Sequence, residues 1–240
     1  MHSPFVFDFI LNVLNNKSGY QAPAEIESLR AQLLRDKREI EIQEMGAGSR
    51  TSSSNKRAVR EIARSALKSK RLARVLFRLA KHYQPKNVIE LGTSLGLTTA
   101  YISKAIPSCQ IISVEGNPPT AAIAEENFQK LSCSNIRVIQ GNFDTVLPAI
   151  LDQFPVIDLA YIDGNHRYQP TINYFHQLLT KSDNNTILVF DDIHWSDEME
   201  KAWEEIKSHP SVQYTIDIFF LGFVFFRNEF KVKQDFSIRF

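Results

Sequence analysis

The sequence predicts an α/β fold: a doubly wound, mostly parallel sheet of seven strands that closes in an antiparallel hairpin and carries an N-terminal helical cap. Three observations predict it. After Pro85, five short β-rich runs, VIEL (88–91), IISV (111–114), IRVI (136–139), IDLAYI (157–162) and TILVF (186–190), alternate with polar or helix-forming segments. That alternation is the pattern of βαβ units in a parallel sheet covered on both faces. The last apolar stretch, YTIDIFFLGFVFFR (214–227), reads instead as two strands joined tightly around Leu221 and Gly222. Before residue 85, apolar residues recur at helical spacing.

The cap is read from four such segments. Residues 5–14 and 24–34 have helical texture, and Val59, Ile62, Ala63, Ala66 and Leu67 form one further amphipathic stripe. Leu72, Val75, Leu76, Leu79 and Ala80 form another. A domain boundary near Gln84 follows, with 1–84 a cap that could also serve homodimerisation and 85–240 the α/β unit. TSSSN (51–55) reads as a mobile loop, and GAGS (46–49), after the alternating IEIQEM, as a flexible turn. GAGS is no cofactor loop, because no helical pattern follows it at once.

The chain has 240 residues, 43% of them hydrophobic and 23% charged, which excludes disordered and fibrous classes. Cys109 and Cys133 are too few for a disulfide framework and stand in no ligand-spaced cluster, so they read as packing residues in a reducing compartment. The N-terminus, MHSPFVFDFI, lacks a basic n-region and a small-residue cleavage site. The longest apolar run, 218–226, is too short for a bilayer. A cytoplasmic protein with no membrane partner is expected. Charge is uneven: from Arg50 to Lys81, eleven Lys or Arg stand against Glu61 alone, a local +10 in a chain whose net charge is +1.

The chemistry begins at the first strand after Pro85. Glu90 closes its apolar run, and Gly92 and Gly96 flank a turn into a helix starting near Leu97, where glycine lets backbone approach a ligand closely. The three-glycine dinucleotide fingerprint and the Walker lysine are both missing. IISVE sets Glu115 at the end of the second strand, about twenty residues past the glycines, as an acceptor for ribose hydroxyls. Asp163 and His166 end the fourth strand in IDLAYIDGNHRY, and Asp191 and Asp192 end the fifth in ILVFDDIHW. If those strands are neighbours, their ends lie about 4.8 Å apart. Three carboxylates at one sheet edge repel unless protons or a cation neutralise them, and a hard divalent ion, most simply Mg²⁺, answers that need.

ELGTSLGLTT (90–99) resembles the ExGTxxGxST loop of small-molecule O-methyltransferases within the class I, S-adenosylmethionine-dependent, Rossmann-like methyltransferases. IQGNFDTVLP (139–148) is similar to that family's GDAxxxLP, with Asn142 in place of the usual Asp. The acidic strand ends resemble those of catechol O-methyltransferase, and the IDGxH form resembles macrolide-sugar O-methyltransferases. The resemblance covers residues 85 to about 228 and implies S-adenosylmethionine held by Glu90, Gly92, Thr93, Ser94, Gly96, Thr98, Glu115, Gly116, Asn142, Phe143 and Asp163. It implies a divalent metal, Mg²⁺, on Asp163, Asp191 and Asp192, with His166 and Asp163 catalytic and a small-molecule hydroxyl as acceptor. Trp195 matches an acceptor-pocket aromatic. Tyr168 matches the family too, but equally reads as a packing aromatic, and His194 reads as a surface or supporting residue.

Duller readings stand beside these. Asp163 could cap a turn with Gly164, and one of Asp191 and Asp192 could point away because strand side chains alternate. NPPT (117–120) is similar to the NPPY of amino-methylating nucleic-acid enzymes, but it follows the second strand rather than the fourth. The basic segment 50–81 keeps an RNA methyltransferase in view, although nucleic acid is the weaker partner because few aromatics interleave the charges. A non-catalytic module that only binds S-adenosylmethionine is the third reading.

Overall fold

The computed structural model describes residues 3–16, 23–42 and 56–240. GAGS and TSSSN lie outside them. The chain opens with α1 (Pro4–Phe9), a π-helical turn (Ile10–Leu14) and α2 (Ala24–Leu33), then a small antiparallel ribbon of β1 (Glu39–Glu41) and β2 (Lys56–Ala58). Helices α3 (Val59–Ala66) and α4 (Lys70–Tyr83) follow. Ser69 accepts a hydrogen bond from the Leu72 amide (3.4 Å) to start α4, and Gln84 ends it in the left-handed region (φ 52°) just before Pro85.

The α/β part runs β3 (Asn87–Leu91), α5 (Leu97–Ala105), β4 (Gln110–Glu115), α6 (Pro118–Lys130), β5 (Ile136–Gln140), α7 (Phe143–Leu151) and β6 (Leu159–Ile162). It continues through α8 (Tyr168–Leu179), β7 (Ile187–Asp191), α9 (Asp197–Ser208), β8 (Tyr214–Asp217), β9 (Leu221–Phe225) and β10 (Gln234–Ser237). NPPT is the start of α6: Asn117 accepts from the Thr120 amide (3.0 Å), and the prolines fill first-turn positions that need no hydrogen-bonded N–H.

The large sheet has the order β10-β8-β9-β7-β6-β3-β4-β5, with β9 antiparallel to both its neighbours and the other pairs parallel. It therefore has eight strands, one more than the pattern predicts. The eighth, QDFS, carries one apolar residue, so periodicity gave no sign of it; Phe236 packs on Tyr214 of β8 (ring centroids 5.4 Å). The hairpin turn is also displaced. It lies at 218–220, with Phe219 at φ 75°, and Leu221 and Gly222 belong to β9. A Cβ on Gly222 would stand 2.7 Å from the Trp203 ring, so that glycine serves packing rather than turning.

Alternate residues of the strands divide the core into two layers. Val88, Ile111, Tyr161, Val189 and Phe223 face α1 to α6, whereas Ile89, Ile112, Ala160, Leu188 and Val224 face α7, α8 and α9. The helices before residue 85 thus share one core with the sheet after it. Cys109 and Cys133 are buried free thiols. No helix among the described residues is long and apolar enough to cross a membrane. Connectivity reverses between β3 and β6, and that switch point opens a crevice at the carboxyl ends of the parallel strands.

Candidate active site

One wall of the crevice is the glycine loop. Gly92 has φ 108°, and a Cβ there would lie 2.0 Å from the Asp163 carbonyl oxygen; Gly96 has φ 80° and would meet the Phe128 ring at 2.6 Å. Both positions accept only glycine without movement. The amides of Gly92 and Thr93 donate to the Val114 carbonyl (2.9 and 3.1 Å), and that of Asp163 donates to Leu91 (2.8 Å), so the loop is locked to both neighbouring strands. Glu115 accepts from the Ser94 and Asn117 amides (2.8 and 2.9 Å), one on each oxygen, leaving lone pairs on both for a ligand. Gly116 and Thr98 are half-buried beside this turn and at the first turn of α5.

Glu90 and Thr93 lie deeper than a ligand-contacting role alone requires. Glu90 is fully buried and accepts from the hydroxyls of Thr99 and Ser113, while its Oε1 has no partner. Thr93 pairs with Ser113 (2.6 Å). Burial raises the Glu90 carboxyl well above the usual range, to about 7, against the two hydroxyl bonds. Unfolded chains release that proton near pH 4, so folding takes up a proton between about pH 4 and 7, and stability is lost as pH rises through that window. Glu90→Gln is therefore expected to raise the unfolding free energy at pH 8 by about 1–2 kcal/mol and to flatten its decline between pH 4 and 7, measured by urea denaturation.

On the next loops, Asn142 is exposed and caps α7 by accepting from the Asp144 amide (2.9 Å). Phe143 is half-buried, edge-on to Tyr174 (5.9 Å), and stands where a Cβ on Gly164 would be 2.7 Å from its ring. Phe143 and Gly164 are thereby packed together beyond the ends of β5 and β6.

The acidic strand ends do converge, and what they converge on was not read from the sequence. The Lys68 ammonium, from the turn between α3 and α4, touches Asp191 and lies 3.8 Å from Asp163 and 3.7 Å from Asp192. Asp191 and Asp192 both face it because Asp192 adopts the left-handed conformation (φ 52°), which ends the strand alternation; Asp tolerates that region better than most residues. Tyr161, also unforeseen, sets its hydroxyl 3.0 Å from Asp163 and 2.9 Å from Asp191 as their donor. Its place two residues before Asp163 on one strand, hence on the same face, was the available signal. Lys68 has no such signal, since its only local context is the basic segment.

Burial raises all three carboxyls, Asp191 to about 8, with Asp163 adding to that shift and Lys68 opposing it. Burial alone would lower the Lys68 ammonium, but the three carboxylates hold it above its ordinary range. His166 stands 3.7 Å from Asp163; burial lowers its pKa, against the pull of Asp191 and Asp192.

As arranged, the carboxylates do not fit a divalent cation. Both Asp191 oxygens are engaged, Oδ1 by the Asp192 amide (2.9 Å) and Oδ2 by Tyr161 and Lys68, and an ammonium fills the centre. Among the described residues no group of three or more His, Cys, Asp or Glu is arranged to hold a metal ion.

Trp195 is 73% exposed and lies at the rim: its amide donates to the Asp192 carbonyl (2.9 Å). The exposed Phe219 and Phe220 are on the adjoining turn, and Phe220 accepts from the Asp192 amide (2.8 Å). His194 supports this rim from behind, bonded to Asp217 (2.8 Å) and Glu200 (3.2 Å). Tyr168 points away, to Glu205 and Lys201 of α9. The basic segment turns inward at Arg78, which donates to the Leu14 carbonyl (2.8 Å), while the exposed Arg71 lies over the Phe240 ring (4.0 Å).

Residues 89–193 match the family model described as a methyltransferase domain. The catechol O-methyltransferase of Niastella koreensis is 29% identical over 138 residues, 56% of this chain and 60% of that protein, so the match spans somewhat over half the relative's length. A SAH-bound Podospora anserina methyltransferase superposes with a TM-score of 0.68 at 13% identity, covering 95% of this chain and 97% of its own. An O-methyltransferase from Bacillus cereus does so with a TM-score of 0.61 at 16% identity, covering 92% and 97%. At such identities the two structures speak for the fold. The matched segment runs from β3 to just past the end of β7, and so takes in the glycine loop at the switch point, Glu115 and the acidic strand ends.

Proposed function

We propose that the protein is an S-adenosylmethionine-dependent O-methyltransferase acting on a hydroxyl of a small molecule. One observation carries this reading: the imidazole of His166 stands 3.7 Å from Asp163 of the acidic cluster, at the same end of the sheet as the glycine loop and Glu115. The cofactor's polar groups have partners here in the free lone pairs of Glu115 and the backbone of residues 92–96, and Phe143 beside Gly164 offers an aromatic face for the base. When bound, S-adenosylmethionine supplies an electrophilic methyl group. His166 would take the proton of the acceptor hydroxyl at Nε2, leaving the oxygen to bond to that methyl carbon as S-adenosylhomocysteine departs with the electrons of the broken bond. Holding both reactants in line supplies much of the acceleration, and the base supplies a further part.

A divalent-metal version of this reading needs the Lys68 ammonium to leave the carboxylates first. The RNA version loses support from the inward engagement of Lys68 and Arg78, whereas the open aromatic rim of Trp195, Phe219 and Phe220 suits an apolar or aromatic acceptor. The test is calorimetric titration with S-adenosylmethionine, followed by assay of S-adenosylhomocysteine release with catechol as acceptor. Saturable binding with acceptor-dependent release is expected. Binding without release for any hydroxyl compound would reduce the protein to a cofactor-binding module, and no binding would remove the reading altogether.

A further inference from the structure

We propose that the Lys68 ammonium is this protein's built-in replacement for a divalent cation: it balances Asp163, Asp191 and Asp192 and donates to the acceptor oxygen, so that methyl transfer proceeds without metal. The inference rests on the O-methyltransferase reading.

Its support is positional. Lys68 is largely buried, with its side chain 13% exposed, and a cation of this size is not stable away from water without such partners. The turn that carries it is held from three sides. Arg30 of α2 donates to the Lys68 carbonyl (2.8 Å), Glu27 takes the Arg30 guanidinium (3.2 Å) and the Tyr101 hydroxyl of α5, and Lys70 lies 3.8 Å from the same carboxylate. The ammonium is therefore delivered to the strand ends by a network anchored on two helices.

An ammonium has three N–H donors. The one toward Asp191 is engaged, while Asp163 and Asp192, at 3.8 and 3.7 Å, are beyond ordinary hydrogen-bond distance, so neither carboxylate takes up a remaining N–H in a close hydrogen bond. Beside them is His166, 3.7 Å from Asp163. A hydroxyl placed there would meet a cation that stabilises its oxyanion and a base that takes its proton. Those are the two services a bound metal ion would otherwise share with the base. The lysine does this with a single charge on a tether, which fixes its position but leaves the cluster net negative when all three carboxyls are ionised.

The experiment uses the full chain and Mn²⁺ as the probe, followed by electron paramagnetic resonance, alongside catechol methylation in EDTA and in excess Mg²⁺. The wild type is expected to bind no Mn²⁺ and to turn over equally in both conditions. Lys68→Ala should lose activity in EDTA by about 100-fold, the scale of removing one preorganised donor, yet gain Mn²⁺ binding and recover part of its rate with Mg²⁺. Lys68→Met keeps the stem packed and should show the same gain of Mn²⁺ binding if the alanine variant does not fold. Mn²⁺ bound by the wild type, or wild-type activity abolished by EDTA and restored by Mg²⁺, overturns the proposal. Should catechol prove not to be a substrate, the Mn²⁺ comparison alone decides it, and S-adenosylmethionine calorimetry separately reports whether the methyltransferase reading holds.

Discussion

Replacing His166 by Ala is expected to lower kcat for methyl transfer by about 10²- to 10⁴-fold, the range for a positioned general base, with S-adenosylmethionine affinity unchanged. The separation follows from where the residue stands. His166 lies past the end of β6 beside Asp163, whereas the glycine loop follows β3 and Glu115 ends β4, so its removal is expected to leave that wall intact. No neighbour can replace it cheaply. Tyr161 is buried between Asp163 and Asp191, which hold its hydroxyl protonated, and Lys68 is held in its charged form. Single-turnover kinetics with free imidazole added should recover part of the lost rate. A variant that retains kcat but loses cofactor affinity would move His166 from the acceptor side to the cofactor side and end its role as base.

The second large effect is expected at Gly92. A Cβ would sit 2.0 Å from the Asp163 carbonyl oxygen, and the backbone there has φ 108°, so Gly92→Ala forces the two strand ends apart by about 1 Å. Displacement of that size at a reacting centre costs about 100-fold in rate. The obstructing atom belongs to Asp163, so the same shift moves both the loop proposed to hold cofactor and the carboxylate beside His166 and Lys68. Both cofactor affinity, by calorimetry, and kcat should therefore fall together. If the alanine variant binds S-adenosylmethionine like the parent, the close approach of β3 and β6 is not what shapes the cofactor wall.

The glycine-loop wall of the site was legible as structure because its residues lie within a few positions of strand ends: a strand that stops just past Glu90, two glycines, and an acidic residue at the end of the next strand are local patterns. The same holds for Asp163, His166, Asp191 and Asp192. Their convergence needed only the assumption that β6 and β7 are neighbours, which the register Leu159↔Ile187 to Ile162↔Phe190 bears out. The doubt that one of the paired aspartates would point away was sound for a regular strand and was overcome by one left-handed residue. The cation was not legible. The charge on the carboxylates demanded a partner, but periodicity over 59–67 and 72–80 describes helix faces and says nothing about the turn between them. Lys68 looked like one basic residue among eleven. The hairpin turn was misplaced for a related reason: glycine suggested a turn at 222, whereas it makes room for Trp203.

The position of Lys68 also bears on how the molecule assembles. Its partners come from strands that follow it by much of the chain's length, so the charge cluster closes only after the sheet has formed and the helices carrying the lysine have docked. Contacts of such sequence separation are completed late in folding, because loop-closure entropy must be spent before they stabilise anything. Until that step Asp163, Asp191 and Asp192 have no tethered cation, and an intermediate with a native-like sheet would carry an uncompensated acidic edge. Docking of the first four helices and chemical competence would then arrive as one event.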